Sequence, residues 1–314
     1  MLQGSRFAND SSPTIATVTM ANQTIAALMT CHNRKAQTLA SLDSFFTQTL
    51  PPDVRLSAYL VDDASTDGTS EAVRDRYPQT QIYRGDGNLF WNGGMRRAFE
   101  EALAGNYTYY LWLNDDTILY PDTIARLLEY AEQLEENTAA HRFVLIGSTC
   151  DPDTGNLTYG GMVRATWWHP LKFQLLPTAD TLQTCHTMNG NCVLIPREIA
   201  QSVGNLDPNF VHSTGDLDYG LRVRQAGGTL WVLPGYVGTC KQNPREADVW
   251  ENPNLNLWER LKKVSQPKGL PVQEWKVFAK RHAGPFWPFY WSLPYVRLVV
   301  AAVFGGKMGS QING

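Results

Sequence analysis

Apolar and polar blocks alternate along the first third of the chain in a way that indicates strands and helices in turn. Short, continuous apolar runs are typical of buried strands, whereas apolar residues that recur every three or four positions indicate a helix packed on a sheet. Two prolines, Pro51 and Pro52, end the first helical segment. The predicted order is strand 24–29, helix 36–50, strand 56–61, helix 70–76, strand 81–84, helix 96–103 and strand 109–113.

This alternation predicts an α/β fold with a mostly parallel central sheet flanked by helices. Strands that are joined through helices run parallel, and their connections are right-handed. In such sheets, ligands bind beyond the carboxyl ends of the strands. We therefore expect the functional residues where the predicted strands end.

Pairs of aspartates follow two of the predicted strands. Asp62 and Asp63 end one strand, and Asp115 and Asp116 end another after Asn114. Carboxylates at this edge can hold Mg²⁺ or Mn²⁺, which also binds substrate phosphates, or accept a hydrogen bond from a base or a ribose. The alternative is that they form polar turns and cap helices, as Asp and Asn commonly do.

A glycine-rich segment lies between these two strand ends. Residues 85–95 contain four glycines, which permit positive φ and a close approach of the backbone to a ligand. The N-terminus of the helix predicted at 96–103 favours a phosphate. Trp91 either stacks on a ligand or packs within the loop. We expect this segment to contribute to the site.

Charge and cysteine content narrow the functional class. The 314 residues carry a formal net charge of −3, which argues against a general nucleic-acid binder. Five cysteines are scattered without a CxxC pair, which favours free thiols in a reducing, cytoplasmic compartment over a disulfide framework or a zinc site. The N-terminus lacks the basic start and apolar core of a signal peptide, and residues 1–22 are predicted to be an irregular lead-in.

Four motifs resemble, in this order, the nucleotide-sugar domain of family 2 glycosyltransferases: TCHNR at 30–34, VDDASTDGT at 61–69, GNLFWNGGM at 87–95 and LWLNDDT at 111–117. The resemblance covers residues 23–245. It implies a GT-A (Rossmann-like) fold, a nucleoside-diphosphate sugar donor, a divalent cation (Mg²⁺ or Mn²⁺) and inversion at the anomeric carbon. The Trp-Asn-Gly-Gly sequence is most similar to bacterial rhamnosyltransferase-like members.

The resemblance also implies which residues bind the donor. Asp62 and Asp63 match the family's positions at the base and the ribose. Asn114 stands at the first position of the family's Asp-x-Asp motif, so the metal is expected on Asp115 and Asp116, with Asp116 the more direct ligand. The expected donor-binding residues are Thr30, His32, Asn33, Arg34, Asp62, Asp63, Gly87, Asn88, Trp91, Asn92, Gly93, Asn114 and Asp115.

A second acidic motif follows in the acceptor half. The segment 212–222 resembles the family's Glu-Asp-x-Asp helix start, with Gly215 in place of the glutamate. An inverting transfer needs a general base for the acceptor hydroxyl, and Asp216 matches that position. Asp218 is expected to pair with Arg222 at i,i+4 spacing. Helix N-capping is the alternative for both aspartates.

The acceptor side is expected to include aromatic residues, because sugars stack on aromatic faces. For Trp167 and Trp168, the alternative is that both side chains pack against the C-terminal segment. After the last predicted strand, many family members have a histidine that touches the metal or the diphosphate, and this chain has Cys240, a poor Mg²⁺ ligand. Lys241 either neutralises the leaving diphosphate or is an ordinary surface lysine. The expected acceptor-side residues are Trp167, Trp168, Asn189, Gly190, His212 and Asp218.

The predicted organisation is a lead-in at 1–22, a glycosyltransferase domain at 23–245 (nucleotide-sugar half 23–120, acceptor half 121–245) and a helical, aromatic extension at 246–314. Within the extension, 286–304 approaches the length of a membrane span but is interrupted by Pro288, Pro294 and Arg297. It is expected either to lie on a membrane surface, or to fold back on the domain or form a homodimer contact.

These observations predict a metal-dependent inverting glycosyltransferase, in the cytoplasm or at the inner face of the cell membrane. The resemblance further implies that it moves a sugar from dTDP-rhamnose or a UDP-hexose to a glycan or lipid-linked acceptor in surface polysaccharide synthesis. A nucleotidyltransferase is one alternative, but TCHNRK lacks the glycine-rich loop that such enzymes usually carry after the first strand. A non-catalytic nucleotide- or carbohydrate-binding module is the other, because Asn114 departs from the family motif.

Overall fold

The structure is a computed structural model that describes residues 23–137, 142–242, 252 and 255–304, so the predicted lead-in at 1–22 lies outside it. The strands are β1 (Gln23–Cys31), β2 (Val54–Asp62), β3 (Gln81–Arg84), β4 (Tyr109–Leu113), β5 (Ile118–Leu119), β6 (Phe143–Cys150), β7 (Leu157–Tyr159), β8 (Gly161–Arg164), β9 (Phe173–Leu175), β10 (Gln183–Cys185), β11 (Thr187–Met188), β12 (Cys192–Pro196) and β13 (Thr229–Thr239). The helices are α1 (Lys35–Phe46), α2 (Thr69–Arg76), α3 (Phe90–Leu103), α4 (Thr123–Asn137), α5 (Arg197–Val203), α6 (Gly215–Gln225), α7 (Leu257–Val264), α8 (Val272–His282), a 3₁₀ turn (Gly284–Phe286) and α9 (Trp287–Phe304).

A central sheet has the strand order β10-β13-β6-β12-β4-β1-β2-β3. Strands β4, β1, β2 and β3 run parallel, and so do β6 and β13, while β12 is antiparallel to both of its neighbours. The carboxyl ends of β1, β2 and β4 therefore meet at one edge. The predicted α/β class with a mostly parallel sheet is confirmed.

Helices cover both faces of the sheet because alternate strand residues point to opposite sides. On β1, Ile25, Ala27 and Met29 pack into one core with residues of α1, α2 and α4. Ala26 and Leu28 pack into a second core with residues of α3, α5 and α6. A strand that is buried on both faces reads as a continuous apolar run, which is why the sequence located it.

The glycine-rich segment differs from its prediction. Helix α3 begins at Phe90 and not at Arg96, so Gly93 and Gly94 lie inside the helix. A Cβ added at Gly94 would lie 2.0 Å from the Oγ1 of Thr30. The glycine is therefore needed for close packing of α3 on β1, and only the part of the segment before Phe90 is a loop. Helix α1 is also shorter than predicted and ends at Phe46.

The C-terminal extension packs through α8 on the loop before α6. The ring of Phe278 contacts that of Phe210 at a centroid distance of 6.4 Å, and the Glu274 carboxylate accepts a hydrogen bond from the Val211 N–H at 3.1 Å. Helix α8 also brings Arg281 to the start of α6. Within the described residues, none of the helices combines the length and the apolar character that crossing a membrane requires.

Asp218 is the buried centre of this contact, with no exposed surface. Its carboxylate binds Arg222 at 2.7 Å, which confirms the predicted i,i+4 pair, and it also binds Arg281 at 2.6 Å and His282 at 2.9 Å. Burial raises the pKa of Asp218, but the hydrogen bond from His282 and the positive arginines outweigh it and hold this pKa below its ordinary value.

We expect Asp218→Asn to lower the free energy of unfolding by about 3 kcal/mol, because the two arginines lose their buried counter-charge. The pKa of Asp218 is lower in the folded than in the unfolded protein. Its carboxylate therefore stabilises the folded state fully above the unfolded pKa of ~4, and this stabilisation is lost as pH falls through the folded pKa. Urea unfolding at pH 7 and at lower pH should show the difference from wild type shrinking on acidification. The exposed Asp75→Asn variant on α2 is the control, and equal stability of wild type and Asp218→Asn at pH 7 would contradict this role.

Candidate active site

The residues after β1 connect the ends of three strands. His32 Nδ1 lies 2.6 Å from the carbonyl oxygen of Asp63, and the Asn33 side-chain oxygen accepts a hydrogen bond from the Thr66 N–H at 2.8 Å. Asn33 has a φ of +51°, which directs the chain from the strand into α1. Arg34 then reaches across to the end of β4. His32 and Asn33 thus fix the loop after β2.

The two aspartates at the end of β2 have separate roles. Asp62 is fully buried, and its carboxylate accepts hydrogen bonds from the Ser65 N–H at 2.8 Å and from the Ser70 hydroxyl. Asp63 accepts hydrogen bonds from the backbone N–H groups of Gly87 at 2.7 Å, Leu89 at 3.0 Å and Phe90 at 3.1 Å. Asp62 therefore shapes its own loop, whereas Asp63 holds the glycine-rich segment over the strand ends.

Trp91 joins the first turn of α3 to the end of β4. Its indole N–H donates to the side-chain oxygen of Asn114 at 2.7 Å. The Trp91 ring also covers Gly190, where a Cβ would lie 2.4 Å from a ring carbon. Asn114 is thereby used as a hydrogen-bond acceptor for Trp91.

The carboxylates after β4 are paired with Arg34. Its guanidinium lies 2.7 Å from Asp116 Oδ2 and 3.3 Å from Asp115 Oδ1. Burial raises the pKa of Asp115 to about 7, against the opposing charge of Arg34. Cys240 donates from Sγ to Asp116 Oδ1 at 3.4 Å, and burial raises the pKa of this thiol to about 12, so it keeps its proton.

These two carboxylates set what the site can bind. Within the described residues, no three His, Cys, Asp or Glu side chains are grouped so that they could hold a metal ion by themselves. Mg²⁺ is commonly bound by one or two carboxylates together with substrate phosphates. Asp115 and Asp116 fit a cation that is shared with a phosphorylated substrate, provided that Arg34 yields its ion pairs.

A cavity of about 280 Å³ opens at this edge of the sheet. Its wall includes the following expected donor and metal residues: Thr30, His32, Arg34, Asp63, Gly87, Trp91, Asn114, Asp115 and Asp116. The expected donor residues that lie outside the wall are Asn33, Asp62, Asn88, Asn92 and Gly93. Asn92 is buried, and its side-chain amide donates to the carbonyl oxygens of Asp207 and Phe210, so it joins α3 to the loop before α6.

Asp216 is not part of this wall and lies at the start of α6. Its Oδ2 accepts from the Gly190 N–H at 3.1 Å, and its Oδ1 accepts from the Leu217 N–H at 2.8 Å. Burial raises the pKa of Asp216 to about 6, although these N–H groups and the Asn189 side chain lower it. A carboxylate with this pKa is largely deprotonated near pH 7 and can accept a proton.

The other expected acceptor residues are spread out. His212 lines the cavity, and its ring meets that of Phe90 at a centroid distance of 6.2 Å. Trp167 is 95% exposed and lies outside the cavity wall, while the carbonyl oxygen of Trp168 accepts a hydrogen bond from Tyr290 of α9 at 2.7 Å. Asp218 is buried in the ion cluster described above and does not face the cavity.

The cavity wall contains three residues that were not predicted: Cys31, Phe90 and Lys268. Cys31 belongs to the motif TCHNR and Phe90 to the motif GNLFWNGGM, so the sequence held a signal for both. Lys268 comes from the turn between α7 and α8, and no motif marks it. Lys241 is exposed and pairs with Asp153 at 2.8 Å, outside the cavity wall.

Comparisons with known proteins agree with the motifs. The family model described as Glycosyl transferase family 2 matches residues 26–204. Two curated proteins of Mycobacterium tuberculosis, from strains CDC 1551 / Oshkosh and ATCC 25618 / H37Rv, are each 25% identical over 202 residues, covering 57% of this chain and 64% of the relative. Both are named N-acetylglucosaminyl-diphospho-decaprenol L-rhamnosyltransferase. The chain thus matches less than two thirds of the length of these relatives.

A solved structure supports the fold. The crystal structure of S. aureus TarS 1-349 aligns with 90% of this chain and 74% of that chain, with a TM-score of 0.52 and 12% sequence identity. At this identity the likeness concerns the fold alone, and it confirms the predicted GT-A architecture. The family model spans more than half of the sequence, and its motifs meet around one cavity, so the chain belongs to glycosyl transferase family 2.

Proposed function

We propose that the protein is an inverting glycosyltransferase that transfers a sugar from a nucleoside diphosphate to a glycan or lipid-linked acceptor. The observation that carries the proposal is the cavity where β1, β2 and β4 end, lined by Asp63, Arg34, Asp115 and Asp116. Ligands of open α/β sheets bind at this edge. The wall offers hydrogen-bond acceptors for a sugar or base and charged groups for a diphosphate.

The first donor we propose is dTDP-rhamnose, with a UDP-hexose as the second candidate. The name of the two Mycobacterium tuberculosis relatives describes an L-rhamnosyltransferase and a diphospho-decaprenol substrate. The Trp-Asn-Gly-Gly sequence at 91–94 supports the same group of enzymes. A lipid-linked acceptor and a role in surface polysaccharide synthesis are proposed on the same ground.

In the proposed mechanism, Asp216 removes the proton of the acceptor hydroxyl as the oxygen attacks the anomeric carbon. The bond from that carbon to the diphosphate breaks, and the diphosphate leaves with the electron pair. Each carboxylate oxygen of Asp216 already accepts one backbone N–H, which orients the carboxylate and leaves it further acceptor capacity. A divalent cation, when bound, would be held by Asp115 and Asp116 and would neutralise the diphosphate.

Calorimetric titration with dTDP, UDP, GDP and CMP, each with and without Mn²⁺, tests the proposed donor class. We expect tight binding of one pyrimidine diphosphate, strengthened by Mn²⁺, because phosphates complete the coordination that two carboxylates begin. Folding is checked by circular dichroism. If the folded protein binds none of the four nucleotides with Mn²⁺ present, the transferase proposal fails and a non-catalytic module is favoured.

We expect Asp216→Asn to lower the transfer rate by about 10²–10⁴-fold, the usual contribution of a general base. Donor affinity should stay unchanged, because the amide keeps one acceptor oxygen and the residue is not part of the cavity wall. In the wild type, the rate should fall as pH decreases through about 6, where Asp216 becomes protonated. Product formation over pH 5 to 8 measures both effects. Full activity of Asp216→Asn would exclude this base, and loss of donor binding would make its role structural.

We further propose that the C-terminal extension lies against an anionic membrane. Residues 255–304 carry eight Lys and Arg against two Glu, a net charge of +6 in a chain whose formal charge is −3. Phe286 is 70% exposed and Phe289 is 56% exposed at the start of α9. Exposed aromatic rings next to basic residues suit the interface of an anionic bilayer. This location would bring a lipid-linked acceptor to the enzyme.

Co-sedimentation with vesicles of phosphatidylglycerol and phosphatidylcholine tests the membrane contact. We expect the wild type to bind anionic vesicles more than pure phosphatidylcholine, and Phe286→Ser/Phe289→Ser to weaken binding by about tenfold or more, since two rings lose apolar burial. Tyr120→Ser, which removes an exposed ring from the catalytic domain, is the control. A wild type that stays in the supernatant would contradict the membrane contact and favour a homodimer, which sedimentation velocity detects.

A further inference from the structure

Lys268 is a cavity residue that comes from outside the region that the family model matches. It lies on the turn between α7 and α8, whereas the family model matches residues 26–204. It lines the cavity together with Arg34, Asp63 and His212. A side chain from the C-terminal extension therefore completes the wall that begins at the ends of β1, β2 and β4.

The turn that carries Lys268 has a defined backbone. The Gly269 N–H donates to the carbonyl oxygen of Gln266 at 2.7 Å, and the Leu270 N–H donates to that of Val264 at 2.8 Å. A Cβ at Gly269 would lie 2.5 Å from the carbonyl oxygen of Lys263, so the turn requires glycine there. Tyr295 of α9 donates to the carbonyl oxygen of Leu270 at 2.9 Å. These contacts place Lys268 at the cavity by packing within the extension.

The charges around the cavity leave Lys268 available for a ligand. The guanidinium of Arg34 is already bound to Asp115 and Asp116, and the Asp63 carboxylate is held by three backbone N–H groups. Lys268 forms no ion pair within the described part of the chain. A lysine ammonium is a compact charge that binds phosphate well.

His212 does not supply this charge. Burial, together with the positive charges of Lys268 and Arg34, lowers its pKa to about 4, so its imidazole is neutral near pH 7. Lys241, a candidate cation from the sequence, is paired with Asp153 outside the cavity wall. Among the described residues of this wall, Lys268 is thus the cation that has no carboxylate partner.

We propose that Lys268 binds the phosphate groups of the nucleotide donor and stabilises the diphosphate when it leaves. The inference rests on the proposed function, because it assumes a diphosphate in this cavity. It assigns to the C-terminal extension a direct part in donor binding. The charge also suits the reaction, since the leaving diphosphate gains negative charge as the glycosidic bond breaks.

The test compares a nucleoside diphosphate with its nucleoside. Calorimetry is carried out with dTDP and thymidine, or with UDP and uridine if the wild type prefers uracil, on wild type and Lys268→Met. We expect the affinity of the variant for the diphosphate to fall by about tenfold or more, which is the effect of losing one charge-assisted contact. Its affinity for the nucleoside should not change. Lys268→Arg should restore most of the affinity, because it restores the charge.

The control is Lys262→Met, which removes an exposed charge from the neighbouring helix α7. Equal loss in this control would mean a general electrostatic effect and would overturn the assignment. So would unchanged diphosphate affinity in Lys268→Met, or equal weakening of the nucleoside and the diphosphate. If the wild type binds no nucleotide, the proposed function fails as a whole, which separates that outcome from a failure of Lys268 alone.

Discussion

The rest of the site depends on the hydrogen bonds that the Asp63 carboxylate accepts. Its two oxygens accept backbone N–H groups from Gly87 and Leu89, which precede α3, and from Phe90, its first residue, so they fix where that helix begins. The first turn of α3 then reaches both halves of the fold. Trp91 binds Asn114 at the end of β4, and Asn92 binds the carbonyl oxygens of the loop before α6. One charged group therefore aligns the strand ends with the helix that carries Asp216.

A second constraint is the balance of charge in the cavity. Two adjacent carboxylates at the end of β4 repel each other, and the guanidinium of Arg34 compensates them. A diphosphate that enters the cavity adds negative charge and therefore needs further cations. In the proposed function, a divalent cation held by Asp115 and Asp116 would replace Arg34 as their counter-charge and would leave the guanidinium for the phosphates. Charge balance would then link donor binding to the proposed cation and to the proposed role of Lys268.

The sequence predicted the elements that a local pattern of apolar and polar residues reveals. Strands β1, β2 and β4 were found because burial on both faces leaves continuous apolar runs, and the functional edge followed from their parallel order. The start of α3 was missed because glycines suggest a loop, whereas Gly94 here allows close contact with Thr30. Gly215 departs from the family's glutamate for a related reason, since a Cβ there would lie 1.9 Å from the Asn92 side-chain oxygen. Packing between distant segments decides such positions, and a single sequence does not display it.

The same reasoning applies to the C-terminal extension. The sequence separates it from the catalytic domain near residue 245, because its composition changes there. In space, Arg281 is part of the counter-charge of the fully buried Asp218, which lies two residues from Asp216 on α6. A buried carboxylate without its partners costs several kcal/mol, so the start of α6 is stable only while α8 is docked. The extension that supplies Lys268 to the cavity therefore also holds the helix of the proposed base. The proposed binding of the diphosphate and the proposed removal of the acceptor proton both depend on it.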